Sequence, residues 1–453
     1  MTLIRFGRII KFHEDKFQFV NQQQERITEM ADTNRDFAFN LPVGPLKILA
    51  LESCKTLAEE VDSYIRDFRL EDQMEAIASS HDVLNFVDYR EEGYLMKSKC
   101  IRFGTGESKG VLYESARGSD VYILCDITNY SLTYSVCGHL NHMSPDDHFQ
   151  DMKRMIATCI GAAKRVTVIM PFLYESRQHK RNRRESLDCA LALEELVNMG
   201  VNNIITFDAH DPRVQNAIPL HGFDNFTPPY QFIKALLAKE KNLKIDKDHL
   251  CIVSPDEGAM NRSIYFATNL GVDMGMFYKR RDFSKIVGGR NPIVAHEFLG
   301  QNVEGKTVIV VDDIISSGES MLDTARELKE RGAARVIICC TFGLFTNGYE
   351  TFDEFYQKGI FDYVITTNLN YRPDELLNKP WYLEANMSKF LATIIDYLNH
   401  DASISEIMDP TIRIQNIVNK YNEEQAKDLD EEPAAEETPE VEETAEAETE
   451  SDK

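Results

Sequence analysis

The chain has 453 residues, 43% hydrophobic and 27% charged, which is the balance of a globular protein with room for two domains. No apolar run approaches the roughly 20 residues that span a bilayer, and residues 1–11 lack the apolar core of a secretory signal, so the cytoplasm is the expected location, with no membrane partner. A net charge of −24 argues against nucleic acid, and nine scattered Cys without a CxxC read as reduced thiols.

Residues 1–44 are polar and weakly patterned, and read as an N-terminal extension. From Leu46 the pattern becomes regular. "LKILAL" (Leu46–Leu51) is a short strand, and "CKTLAEEVDSYIRDF" has helical spacing. Asp120–Ile127 is strand-like. "HFQDMKRMIATCIGAA" is an amphipathic helix and Arg165–Phe172 a buried strand. "ESLDCALALEELVNMG" is a helix that Gly200 ends, and "NIITFDAH" is a further strand. Strands alternating with helices of about 10–16 residues predict a parallel sheet with helices on both faces. The alternation restarts after a junction near Gly222–Pro229. "LCIVSPDEG", "MGMFYKR", "ARVIICCTF" and "FDYVITTN" are strands. "MNRSIYFATNLG" and "NMSKFLATIIDYLNHD" are helices. The predicted division is an extension (1–44), a first α/β unit (45–226), a second (227–421) and an acidic disordered tail (422–453). From Glu423 onward, 15 acidic and 2 basic residues carry −13 of the net charge.

The segment with the most specific chemistry is "VIVVDDIISSGES" (Val308–Ser320). Four apolar residues make a buried strand, and Asp312 and Asp313 stand at its carboxyl end. A Ser/Gly loop follows and opens into "MLDTARELKERG", a helix. A loop at a helix N-terminus offers unpaired N–H groups to a phosphate. Ser316, Ser317 and Ser320 add hydroxyls, and Gly318 lets the backbone come close. The two carboxylates suit sugar hydroxyls, directly or through Mg²⁺. The carboxyl end of a parallel strand is where open α/β sheets bind ligands.

This segment resembles the PRPP-binding fingerprint shared by phosphoribosyltransferases, which use PRPP, and PRPP synthetases, which make it. The remainder resembles the synthetases (ribose-phosphate pyrophosphokinases) from about Leu46 to Met408. "FGTGES" followed by "ESARGSDVYI" is similar to the family's FxDGE and ESVRGxDVF. This resemblance implies that Phe103 and Glu107 reach into a neighbouring subunit and help hold ATP. "PFLYESRQHKRNR" is similar to PYxxYARQDRK and implies that Arg177 and Gln178 contact ATP. Its cationic loop also suits a triphosphate on charge alone. "ITFDAHDPRVQNAI" implies His210, and "IVSPDEGAMNR" implies Asp256, as ligands of a catalytic Mg²⁺. "FYKRRDF" implies that Lys279 and Arg281 stabilise charge on the transferring phosphoryl group. Thr105, His179, Ala259, Ser316 and Glu319 depart from the family pattern.

The expected architecture is two phosphoribosyltransferase-like α/β domains, each a mainly parallel sheet flanked by helices. The expected reaction transfers the diphosphoryl group of ATP to the anomeric hydroxyl of ribose 5-phosphate, giving PRPP and AMP, in a dimer or larger oligomer. Asp312, Asp313, Ser316, Ser317, Gly318 and Ser320 would bind ribose 5-phosphate. The alternatives are an inactive regulatory relative, a phosphoribosyltransferase acting on a base, and a PRPP sensor. Simple phosphoribosyltransferases lack the first α/β unit, and a sensor has no use for Arg177 or Lys279.

Overall fold

A computed structural model describes residues 41–78, 91–281 and 293–431, with the side chains of 75–78, 279–281, 293–296 and 426–431 outside that description. The predicted extension, up to residue 40, and the tail beyond 431 also lie outside it.

The first sheet holds β1 (Leu46–Ala50), β4 (Asp120–Leu124), β7 (Arg165–Ile169), β8 (Asn203–Phe207) and β9 (Gly222–Phe226), in that order and all parallel. Every residue of β4 is buried, because helices cover both faces of the sheet. Those helices include α1 (Lys55–Ala78), α2 (Pro145–Cys159) and α3 (Asp188–Asn198). The sequence at Ser144 starts α2 cleanly. Ser144 and Asp147 form a reciprocal capping box, and Pro145 follows at the first helical position.

Two hairpins stand outside this sheet. One pairs β2 (Ser98–Arg102) with β3 (Ser108–Leu112), and the other pairs β5 (Thr133–Val136) with β6 (His139–His142). The second turns at Cys137 and Gly138, both with positive φ, as a two-residue hairpin loop requires. Its backbone clasps the first, with Cys137 N–H donating to Gly104 O at 2.8 Å.

The second sheet runs β12 (Ile293–Leu299), β11 (Asp273–Arg281), β10 (Leu250–Ser254), β13 (Thr307–Ile315), β14 (Arg335–Gly343), β15 (Tyr363–Thr367), β16 (Tyr382–Ala385). Only the β11–β12 pair is antiparallel. Helices α4 (Pro229–Lys239), α5 (Met260–Leu270), α6 (Glu319–Glu330) and α7 (Glu350–Gln357) flank it, with short α8 (Asp374–Leu377) beside β16. The described residues end in α9 (Ser388–Asn399), α10 (Ser405–Met408) and α11 (Thr411–Glu431).

Three features differ from the sequence reading. The junction read at Gly222–Pro229 is in its first half the edge strand β9; its polar Asp224 and Asn225 gave no apolar signal, yet Asn203 Nδ2 donates to Asp224 at 2.6 Å and ties it to β8. The acidic segment read as disordered from 422 begins as the last turns of α11, whose Tyr421 hydroxyl donates to Glu240 O at 3.0 Å. Helix α9, read with the second unit, packs on α1 of the first. There Arg69, only 1% exposed, reaches Asp396 at 3.0 Å and Asn399 and His400 at 2.9 Å each. A buried guanidinium is tolerable because its two terminal nitrogens meet a carboxylate and two further acceptors.

Candidate active site

The carboxyl ends of both sheets meet, so loops from both units share one cleft. From the second sheet, β13 delivers Asp312 and Asp313 and then the loop 316–318 into α6. Gly318 sits at the helix N-cap with φ of +87°, and a Cβ there would lie 2.4 Å from two ring carbons of Phe352. Phe352 cannot retreat. It packs with its ring stacked on Trp381 (centroids 5.4 Å apart) and edge-on to Phe345 at 5.1 Å. The glycine is thus required by both backbone and space. From beneath, Leu344 N–H donates to Ile315 O and Thr346 N–H to Ser316 O, each at 2.9 Å. Ser316 and Ser317 are half-buried, while Glu319 and Ser320 are exposed.

The two carboxylates have different surroundings. Asp313 is 4% exposed, and its Oδ2 accepts from His210 Nδ1 at 2.7 Å and lies 3.3 Å from Arg262 Nη2. Burial by itself raises its pKa, but the His210 hydrogen bond and the Arg262 charge outweigh that and hold it below the usual carboxylate value. Asp312 moves the other way. Burial and then the negative charges of Asp313 and Asp256 push it well up. The carboxylate partnered by His210 and Arg262 carries the negative charge, and its neighbour holds a proton more readily.

His210 belongs to the other unit, just after β8. In that same turn Asp208 has a positive φ of 42° and is 6% exposed. Its carboxylate accepts from Arg262 Nε and from Thr341 Oγ1, both at 2.6 Å. Arg262, at the start of α5, therefore grips one acid from each unit. Neither Asp208, Arg262 nor Thr341 stood out in the sequence. Asp208 precedes His210 in "FDAH", and Arg262 closes "PDEGAMNR", so the motifs held the signal.

Asp256 heads the loop after β10. Its Oδ1 accepts Gly258 N–H at 2.9 Å and Ala259 N–H at 3.3 Å. Among the described residues no three His, Cys, Asp or Glu converge as a ready metal cage. The donors still suit a hard divalent ion in part: Asp256 keeps its second oxygen, and His210, bonded to Asp313 through Nδ1, has its Nε2 left over. Such an ion would complete its shell with phosphate oxygens and water.

Arg177 is exposed and lines a cavity of about 620 Å³ between the units, walled by Tyr130, Phe172, Tyr174, Phe345 and Tyr371. Gln178 is occupied otherwise. Its Nε2 donates to Ser186 O at 2.8 Å, closing its own loop. His179, where the family has Asp, lies 3.4 Å from Asp211 with its ring 5.3 Å from that of His210. Phe103 (48% exposed) and exposed Glu107 sit at the β2–β3 turn, and neither lines the Arg177 cavity. Lys279 and Arg281 fall in the last residues of β11, paired with His296 and Ile293 of β12; their side chains lie outside the described residues. No described helix is long and apolar enough to cross a membrane.

Residues 46–200 match the family model for the N-terminal domain of ribose phosphate pyrophosphokinase, and residues 228–373 match that for the phosphoribosyl transferase domain. A ribose-phosphate pyrophosphokinase of Oceanobacillus iheyensis is 32% identical over 251 residues, covering 54% of this chain and 70% of that protein. One from Streptomyces coelicolor is 27% identical over 319 residues, covering 70% of this chain and 89% of the relative. Phosphoribosylpyrophosphate synthetase from Mycobacterium smegmatis shares the fold with a TM-score of 0.59 at 22% identity, over 79% of this chain and 99% of that one.

Proposed function

The chain belongs to the ribose-phosphate pyrophosphokinase family and forms PRPP, and we propose that it does so with the residues that meet between its two α/β units. In the reaction the anomeric hydroxyl of ribose 5-phosphate attacks the β-phosphorus of ATP. The new bond is O1–Pβ, the Pα–O–Pβ bridge breaks on the Pβ side, AMP departs with the bridging oxygen, and the hydroxyl proton is released.

The 5-phosphate sits on the Ser316–Ser320 loop at the α6 N-terminus, and the ribose hydroxyls face Asp312 and Asp313. The observation that carries this reading is the junction itself. The phosphate loop and its acid pair from one unit lie against His210 of the other, joined by the 2.7 Å contact between Asp313 and His210. Arg177 serves the ATP phosphates, while Gln178 shapes the loop that presents it. Bound Mg²⁺, held by His210 and Asp256, would neutralise charge on the diphosphate. Lys279 and Arg281 take the charge that develops on the transferring group. Exposed Phe103 and Glu107, displaced from the Arg177 cavity, fit a site completed by a second copy of the chain. The alternative of a base-using phosphoribosyltransferase fails on residues 46–200, which such enzymes lack.

The test is AMP and PRPP release from ATP, Mg²⁺ and ribose 5-phosphate, beside Lys279→Ala. We expect AMP release that requires ribose 5-phosphate and falls by about 100-fold or more in the variant. Ribose 5-phosphate binding without turnover in the unaltered protein would instead favour the inactive regulatory relative.

A further inference from the structure

Arg262 makes no visible claim on a substrate, yet it occupies the middle of the site. Its Nε donates to Asp208 Oδ1 at 2.6 Å, and its Nη2 lies 3.3 Å from Asp313 Oδ2. The same Asp313 oxygen accepts from His210 Nδ1 at 2.7 Å. On the far side, Asp208 is closed off by the Thr341 hydroxyl at 2.6 Å, and Thr341 O accepts from Thr367 Oγ1 at 2.6 Å. The chain Thr341–Asp208–Arg262–Asp313–His210 therefore crosses between the units three times, the last crossing ending on an imidazole.

We infer that Arg262 is a positioning residue for the reaction: by holding Asp208 and Asp313 together it fixes the carboxylate that keeps His210 in its Nδ1–H tautomer, with Nε2 as the acceptor. A neutral imidazole donates through one nitrogen and accepts through the other, and the hydrogen bond at the first decides which is which. A carboxylate can only accept, so a fixed Asp313 forces the proton onto Nδ1. Without the guanidinium, Asp208 and Asp313 become two buried carboxylates with their shared cation gone. Asp313 would be free to turn away, and His210 would sample both tautomers. A lysine keeps the charge but has no planar fork to span two acids. The same contacts also make Arg262 a tie between the units, so its role in His210 chemistry needs a readout that a simple tie would not move.

This inference rests on the reading of His210 as the group facing the phosphates or Mg²⁺. The experiment uses full-length protein with ¹⁵N-labelled histidine, the His210 signal being identified by its loss in His210→Asn. Unaltered protein should show His210 as the single Nδ1–H tautomer. Arg262→Gln should show both tautomers, with kcat lowered about 10- to 100-fold. Arg262→Lys should recover part of kcat and part of the tautomer bias. If Arg262→Gln does not fold, Thr341→Val, which loosens Asp208 while leaving Arg262 in place, should shift the tautomer in the same direction to a smaller extent. An Nε2–H tautomer in the unaltered protein overturns the inference. So does an unchanged tautomer in a folded Arg262→Gln, or in Thr341→Val where that replaces it. Full activity in His210→Asn would sink instead the reading on which the inference rests, so the two failures are distinct.

Discussion

His210 Nδ1 and Asp313 Oδ2 stand 2.7 Å apart although they lie 103 positions apart in the sequence and belong to different units. Asp313→Asn would present either an amide N–H or a carbonyl to the imidazole, and can no longer balance Arg262. We expect kcat to fall about 10- to 100-fold in steady-state assays, as replacing the partner of an essential histidine generally does. Thermal unfolding should distinguish this from loss of fold.

Gly318→Ala should damage the phosphate site and the packing beneath it together. The added methyl meets Phe352 at 2.4 Å on a backbone with φ of +87°. Overpacking of this kind costs roughly 1–3 kcal/mol, read by chemical denaturation. The displaced loop should raise KM for ribose 5-phosphate about tenfold or more, equivalent to roughly 1.4 kcal/mol of lost binding.

Asp126 gives a pH prediction away from the reacting groups. It lies just past β4, and burial raises its pKa to about 6, against the lowering effect of its bonds from Thr128 and from Tyr371 N–H. A carboxyl whose folded pKa exceeds its unfolded pKa favours the folded state while protonated. Its contribution is fully present below about pH 4 and is lost as pH rises through about 6, a change of roughly 3 kcal/mol. Denaturation of Asp126→Asn at pH 4 and pH 7 should show a flatter dependence than the unaltered protein. Equal slopes would rule this account out.

The displaced Phe103 and Glu107 predict complementation. Phe103→Ala and Arg177→Ala should each be weakly active alone, because one lacks a donated group and the other a receiving one. Mixed and reassociated, they should recover part of the original activity, since some interfaces would pair two intact halves. No recovery in a mixture proven to exchange subunits would place both residues in one self-contained site.

The strand, loop and helix from Val308 onward were legible because a local pattern encodes them: four apolar residues, two acids, a Ser/Gly turn and an amphipathic helix. Both α/β units were legible from the alternation of apolar runs and amphipathic spacing. Arg262 and Asp208 were not, since their meaning comes from a contact between residues 54 apart that only the docked units create. The β5–β6 hairpin was invisible for another reason. Every residue of β6 is exposed, so the strand carries no buried face to imprint an alternation. Gln178 shows the limit of resemblance, as its amide is spent within its own loop.

Helix α9 completes the hydrophobic core begun by β1 and α1, with Arg69 bound to Asp396 and Asn399. Synthesis from the N-terminus therefore leaves the side of α1 that faces α9 uncovered until nearly 400 residues have emerged. At about 5–20 residues per second, the gap between the end of β9 and the end of α9 lasts on the order of ten to thirty seconds. During it the first unit exposes an apolar helix face and a charged guanidinium awaiting its acid. A ribosome-bound chain stopped near residue 230 should thus be recognised by chaperones and proteases as unfinished, however regular its first sheet. The core of the first unit thus includes residues that the chain supplies only near its other end.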